Sequence, residues 1–209
     1  MSRQLFKRIY LFDDCDTQFM GNWDDRDQTL QATLRFLFKL FCSKAGNGAL
    51  IDPNDCILYA YLDQHEYILT ENNAQIVLKE NNADWLQTED AFDMTMNSAI
   101  TEARTNPTLF LIDWTMSKMQ WGEADKRTGV QLLDRLYNQR DNLSGVITCY
   151  TSAIDDASFR SEYALQKSRF LSGSPYLRLM KLHWRWNDIE ATECTLYRKL
   201  CMLMDEGSI

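Results

Sequence analysis

Hydrophobic positions along the chain alternate between short unbroken runs and stretches with helical spacing. Ile9-Tyr10-Leu11-Phe12 is an apolar run that stops at Asp13-Asp14, the pattern of a buried parallel strand with acidic residues at its carboxyl end. From Gln28 to Ala45, Leu30, Leu34, Leu37 and Phe41 recur at helical spacing, and Gly46 and Gly48 stop the helix. Ile57 to Leu62 predicts a second strand. The segment EYILTENNAQIVLKE then places two β-prone pieces around Asn72-Asn73, which predicts a hairpin over 66–80. Glu89 to Arg104 carries Phe92, Met96, Ala99 and Ala103 on one side of a helix that Asn106-Pro107 closes.

Thr108 to Ile112 is a further apolar run, and it ends at Asp113. Helical spacing resumes after Gly129 with Val130, Leu133, Leu136 and Tyr137, and a strand from Val146 to Tyr150 ends at Thr151-Ser152. A helix from Ala157 to Phe170, the break Gly173-Ser174-Pro175, a strand from Tyr176 to Lys181 and an amphipathic helix from Asp188 to Met204 complete the pattern. The acidic stretch Asn22 to Asp27 and the segment Ser117 to Thr128 read as loops. Strands alternating with helices argue for an α/β domain, a parallel sheet covered on both faces.

Composition narrows the function classes. With 45% apolar and 25% charged residues the chain reads as an ordinary globular protein, and 209 residues fit one enlarged domain, 1–209. A net charge of -8 lacks the basic face that neutralising a nucleic-acid backbone requires. Six cysteines without a C-x-x-C pair and two distant histidines support neither a zinc nor a redox site. The start MSRQLFKRIYLFDD has no signal-peptide core and no run of about 20 apolar residues exists, so a cytoplasmic protein is expected.

In a parallel sheet the strand ends Asp13-Asp14, Asp113, Thr151-Ser152 and Lys181 lie on one edge, where open α/β sheets bind ligands. Carboxylates gathered there repel one another unless a cation joins them, and Mg²⁺ is the hard, oxygen-seeking ion suited to such a set. A phosphoryl-transfer site needs a nucleophilic oxygen, neutralised charge and positioning. Asp113 could attack, Asp13 and Asp14 hold the metal, and Thr151 and Lys181 meet the phosphoryl oxygens.

Asp13-Asp14 after the first strand, LIDWTMSKM with Met116 three residues after Asp113, Gly129 before the next helix, and the strand ending in Thr151-Ser152-Ala153 together resemble a response-regulator receiver domain. The resemblance implies a flavodoxin-like, doubly wound, five-stranded parallel sheet, with phosphorylation of Asp113 and Mg²⁺ held by Asp13, Asp14, Asp113 and the Thr115 backbone carbonyl. It also implies a sensor histidine kinase or other phosphodonor protein as partner, and no turnover beyond self-phosphorylation and slow autodephosphorylation.

Departures accompany it. The interval from Asp14 to Asp113 is about twice the family's usual one, which implies an insertion near 64–88 that includes the hairpin, and the loop before Gly129 is long. Ser117 and Leu182 stand where prolines are usual, and Arg178 where a switch aromatic is often found. Lys167 is the fallback for Lys181. Trp184 and Trp186 mark a surface for a downstream protein or a second copy. A degenerate receiver serving only as an interaction module is the alternative. A third reading is a haloacid-dehalogenase-like phosphatase, since Asp14-Cys15-Asp16-Thr17 resembles that family's D-x-D start, with Asp14 as nucleophile and Asp16 as acid–base.

Overall fold

The computed structural model describes residues 6–14, 23–39, 55–73, 75–123, 128–143, 145–151, 156–173 and 177–183. Its strands are β1 (Arg8–Asp13), β2 (Ile57–Leu62), β3 (His65–Asn72), β4 (Gln75–Asn82), β5 (Thr108–Asp113), β6 (Gly145–Thr151) and β7 (Leu177–His183). Its helices are α1 (Trp23–Phe38), α2 (Glu89–Ala103), α3 (Val130–Asn138) and α4 (Ala157–Gly173). All seven strands form one sheet in the order β4-β3-β2-β1-β5-β6-β7. Strands β2, β1, β5, β6 and β7 run parallel, the five-stranded doubly wound arrangement, and β3 and β4 continue the sheet antiparallel beyond β2.

Alternation along the strands sorts side chains to the two faces. Ile9 and Leu11 of β1, Leu58 and Ala60 of β2 and Leu109 and Leu111 of β5 pack with Leu30, Leu34, Leu37 and Phe38 of α1. Tyr10, Phe12, Phe110, Ile112, Ile147 and Leu179 face the other way. They bury against Phe92 and Met96 of α2, Leu132, Leu133 and Leu136 of α3, and Phe159 and Phe170 of α4. Each fully buried Leu or Phe contributes about 1.5–3 kcal/mol of transfer free energy, so both faces help hold the strand ends in place. Among the described residues no helix is long and apolar enough to cross a membrane.

The hairpin expected around Asn72-Asn73 forms, and Asn73 takes the left-handed conformation (φ 51°) that a tight two-residue turn demands and Asn tolerates. Sequence alone left open where it would pack. It joins the main sheet because β3 turns back on β2 through Asp63-Gln64, with Asp63 also left-handed (φ 54°) and its amide donating to the Asp13 carbonyl at 3.2 Å. β4 is therefore the border strand. Its Ile76 and Leu78 are half-buried while Val77 is exposed, and the Arg35 guanidinium of α1 donates to the Ile76 carbonyl at 2.8 Å.

Two expected loops differ. Trp23 to Asp27 lie in the first turns of α1 rather than outside it. In the segment Ser117 to Thr128, Met119 is buried, as is Met116 just before it, and Trp121 stacks edge-on against Phe92 at 5.1 Å. Apolar side chains spaced irregularly had hidden that packing. The helix expected at Asp188–Met204, the end of the helix expected from Gln28 to Ala45, and Trp184 and Trp186 lie outside the described residues.

Two glycines set close approaches. A Cβ on Gly145 would stand 2.2 Å from the Thr108 carbonyl oxygen at the foot of the sheet. One on Gly129 would stand 2.5 Å from the Asp113 carbonyl oxygen and 2.8 Å from Ile112 Cγ2. Replacing either with alanine forces backbone apart, and urea unfolding of Gly129→Ala and of Gly145→Ala should each show a loss of about 1–3 kcal/mol. A loss below about 0.5 kcal/mol would mean the neighbouring backbone yields freely there.

Candidate metal centre

Parallel register creates the site. Phe12 pairs with Ile112, so Asp13 and Asp113 leave adjacent strand ends side by side, with Asp14 one residue further along. The carboxylates of Asp13, Asp14 and Asp113 each offer one oxygen to a group whose members all lie within 4.8 Å of one another. Asp13 and Asp14 are 4% and 3% exposed and Asp113 is partly buried. Buried like charges at this spacing are unfavourable in water-poor surroundings unless protonated or bridged by a cation.

The electrostatics carry that signature. Burial, followed by the charges of Asp13 and Asp14, pushes the Asp113 carboxyl well above its ordinary value, against the opposing backbone amides of Thr115 and Trp114. Burial likewise raises Asp14, opposed by the Lys118 amide, the Ser117 hydroxyl and the Lys118 charge. An all-oxygen donor set of three carboxylates fits a hard divalent cation.

Beyond Asp113 the chain makes a constricted loop. The Gly129 amide donates to the Trp114 carbonyl at 2.8 Å and Thr115 bridges Thr128, closing the neck. Trp114 itself is buried edge-on against Phe159 at 4.8 Å, a packing residue as its size implies. Past the neck, the Ser117 hydroxyl donates to Asp14 Oδ2 at 2.8 Å and the Lys118 amide donates to the same oxygen at 2.9 Å. Lys118 Nζ lies 3.1 Å from Asp63 Oδ2 in the β2–β3 turn.

Sequence reasoning treated Ser117 only as a missing proline and passed over Lys118 and Asp63. A signal for Asp63 existed, since the apolar run Ile57 to Leu62 ends in aspartate just as β1 and β5 do. Of the remaining residues, Thr151 ends β6 and pairs with His183, and Lys181 of β7 pairs with Cys149 two residues lower, both in backbone register at the same end of the sheet as Asp113. Lys167 is exposed in the middle of α4. Asp16 lies outside the described residues.

The sign of the titration follows from these environments. Raised carboxyl values mean the folded, metal-free protein holds protons that the unfolded chain releases, so its stability falls as pH rises from the ordinary aspartate range toward the raised values. Asp113→Asn removes one member of the repelling set. Without divalent cations and above neutral pH it should raise the thermal midpoint, by about 2–4 °C for each kcal/mol recovered, and flatten its fall with pH. A metal-free mutant that melts at or below the native protein across this range would show that the three charges do not strain the fold.

No protein-family model matches the chain, and no curated protein matches it. Among solved structures, one given as nucleolar GTP-binding protein 1 from Plasmodium falciparum aligns over 98% of this chain and 95% of its own at 12% identity, with a TM-score of 0.32. A likeness at that score carries no inference about this chain. The α/β fold and the buried triad of carboxylates stand on the chain's own residues.

Proposed function

We propose that the chain is a phospho-accepting, receiver-like signalling protein in which Asp113 takes the phosphoryl group and Asp13, Asp14 and Asp113 hold Mg²⁺. The observation that carries this reading is the convergence of those three carboxylates, two of them almost wholly buried, at the carboxyl end of a doubly wound sheet. Bound there, Mg²⁺ would neutralise the acids and the incoming phosphoryl oxygens.

Residues of the chain supply the rest. An Asp113 carboxylate oxygen forms the bond to phosphorus as the bond from phosphorus to the donor breaks, and the donor group leaves with that electron pair. Asp113 must be ionised to attack, so the burial and the neighbouring Asp13 and Asp14 charges that favour its protonated form have to be offset first. The amides of Thr115 and Trp114 orient it. In this reading the Thr115 carbonyl is a further metal ligand, and the Thr151 hydroxyl and the Lys181 ammonium receive the phosphoryl oxygens. A sensor histidine kinase or another phosphodonor protein supplies the group, and the changed surface is read by a protein partner. Only contacts made by the phosphoryl group in one state can drive such a change.

Incubation with Mg²⁺ and a small phosphodonor such as acetyl phosphate should add one phosphoryl group to the intact mass, lost on mild base or hydroxylamine treatment and absent from Asp113→Asn. An adduct that persists in Asp113→Asn, or none on a folded protein that binds Mg²⁺, would overturn the phospho-accepting reading and leave a receiver-like interaction module.

The two phosphoryl-contacting roles separate from the metal-binding one. Thr151→Ala and Lys181→Ala should slow phosphorylation on the order of 100-fold while Mg²⁺ affinity, measured by calorimetry, stays within a few-fold. Asp13→Ala should abolish both. Undiminished labelling in Lys181→Ala would remove that residue from the site.

A further inference from the structure

Two of the donors that restrain Asp14 share one of its oxygens. Ser117 Oγ and the Lys118 amide both donate to Oδ2, from a turn closed by the Met119 amide on the Met116 carbonyl at 3.2 Å. That turn is fixed independently of Asp14. Met116 and Met119 are fully buried in the larger core cluster, the Gln120 amide donates to the Leu86 carbonyl at 3.0 Å, and Lys118 Nζ meets Asp63 at 3.1 Å. The two donors therefore form a bracket on Oδ2, and Oδ1 carries neither of these two bonds.

We propose that Ser117 and the Lys118 backbone amide are specificity-determining positioning residues: by occupying Asp14 Oδ2 they restrict Asp14 to one-oxygen coordination and so select Mg²⁺ over Ca²⁺. The proposal rests on the triad being a cation site and adds which cation it prefers and why. Mg²⁺ demands near-octahedral geometry at short distance and takes single carboxylate oxygens, whereas Ca²⁺ accepts six to eight ligands and readily binds both oxygens of one carboxylate. A carboxylate with one oxygen already committed to two donors suits the first ion and penalises the second. A hydrogen bond to a charged group is worth enough for its loss to register as about a tenfold change in affinity.

Ser117 is exposed, so its replacement by alanine leaves the buried turn intact. The test is calorimetric titration of the native protein, Ser117→Ala and Ser117→Thr with Mg²⁺ and, separately, with Ca²⁺. Native protein should prefer Mg²⁺. In Ser117→Ala the ratio of Mg²⁺ to Ca²⁺ affinity should fall about tenfold, through weaker Mg²⁺ binding, stronger Ca²⁺ binding or both, and Ser117→Thr, which keeps the hydroxyl, should restore it. An unchanged ratio in Ser117→Ala, whether the two affinities hold or fall together, would overturn the selectivity role. Native protein that binds neither ion would instead overturn the reading of the triad as a cation site, and the bracket's role with it.

Discussion

Electrostatic repulsion among three carboxylates is the constraint around which the carboxyl edge of this sheet is organised. Asp13, Asp14 and Asp113 would separate if their side chains were free, yet parallel hydrogen bonding between β1 and β5 fixes two of the three backbones side by side. The repulsive energy can then be relieved in only two ways. Protons can be retained, as the Asp113 carboxyl indicates, raised first by burial and then by the charges of Asp13 and Asp14, or a cation can enter. Apolar packing on both faces supplies the force that makes separation unavailable, since Ile9, Leu11, Phe12, Leu111 and Ile112, directly beneath the acids, are all fully buried. The core and the site are thus two ends of the same strands.

The loop after β5 shows how the remaining freedom is removed. Its neck is tied by Gly129 and by the Thr115–Thr128 bridge, its first turn is sunk into the core by Met116 and Met119, and its donors reach back to Asp14. The absence of a Cβ on Gly129 matters because the Asp113 carbonyl sits where that atom would go. Shape and charge therefore meet at one point: the glycine that lets α3 approach also lets the loop close beside the acidic group.

Much of this was readable from local pattern. Each strand carries an unbroken apolar run or an alternation, α2 and α3 a 3.6-residue period, and the acids of β1 and β5 sit where such runs stop, so the fold and the three carboxylates could be named from the residues alone. What escaped were contacts between distant segments. Ser117 and Asp14 are separated by 103 residues, and nothing near either one announces the other. Reading Ser117 as a lost proline counted against the site, whereas the hydroxyl in place of that ring contributes a hydrogen bond to it. The early start of α1 escaped for a different reason, because a run of acids looks like a solvated loop unless its position at a helix amino end is known.

The hairpin beyond β2 has a consequence for how the molecule meets its surroundings. In a bare five-stranded version, β2 would be the sheet's outer border, hydrogen-bonded directly to the strand that bears Asp13. Here β3 and β4 convert β2 into an interior strand, and among the described residues the border moves two strands away. Arg35 already occupies one carbonyl on that border, which discourages another chain from extending the sheet there. Any strand that did add would do so about 10 Å further from the acids than at β2, given the usual spacing between strands. The hairpin meets the acids instead at the turn before β3, where the Asp63 amide donates to the Asp13 carbonyl and the Asp63 carboxylate pairs with Lys118.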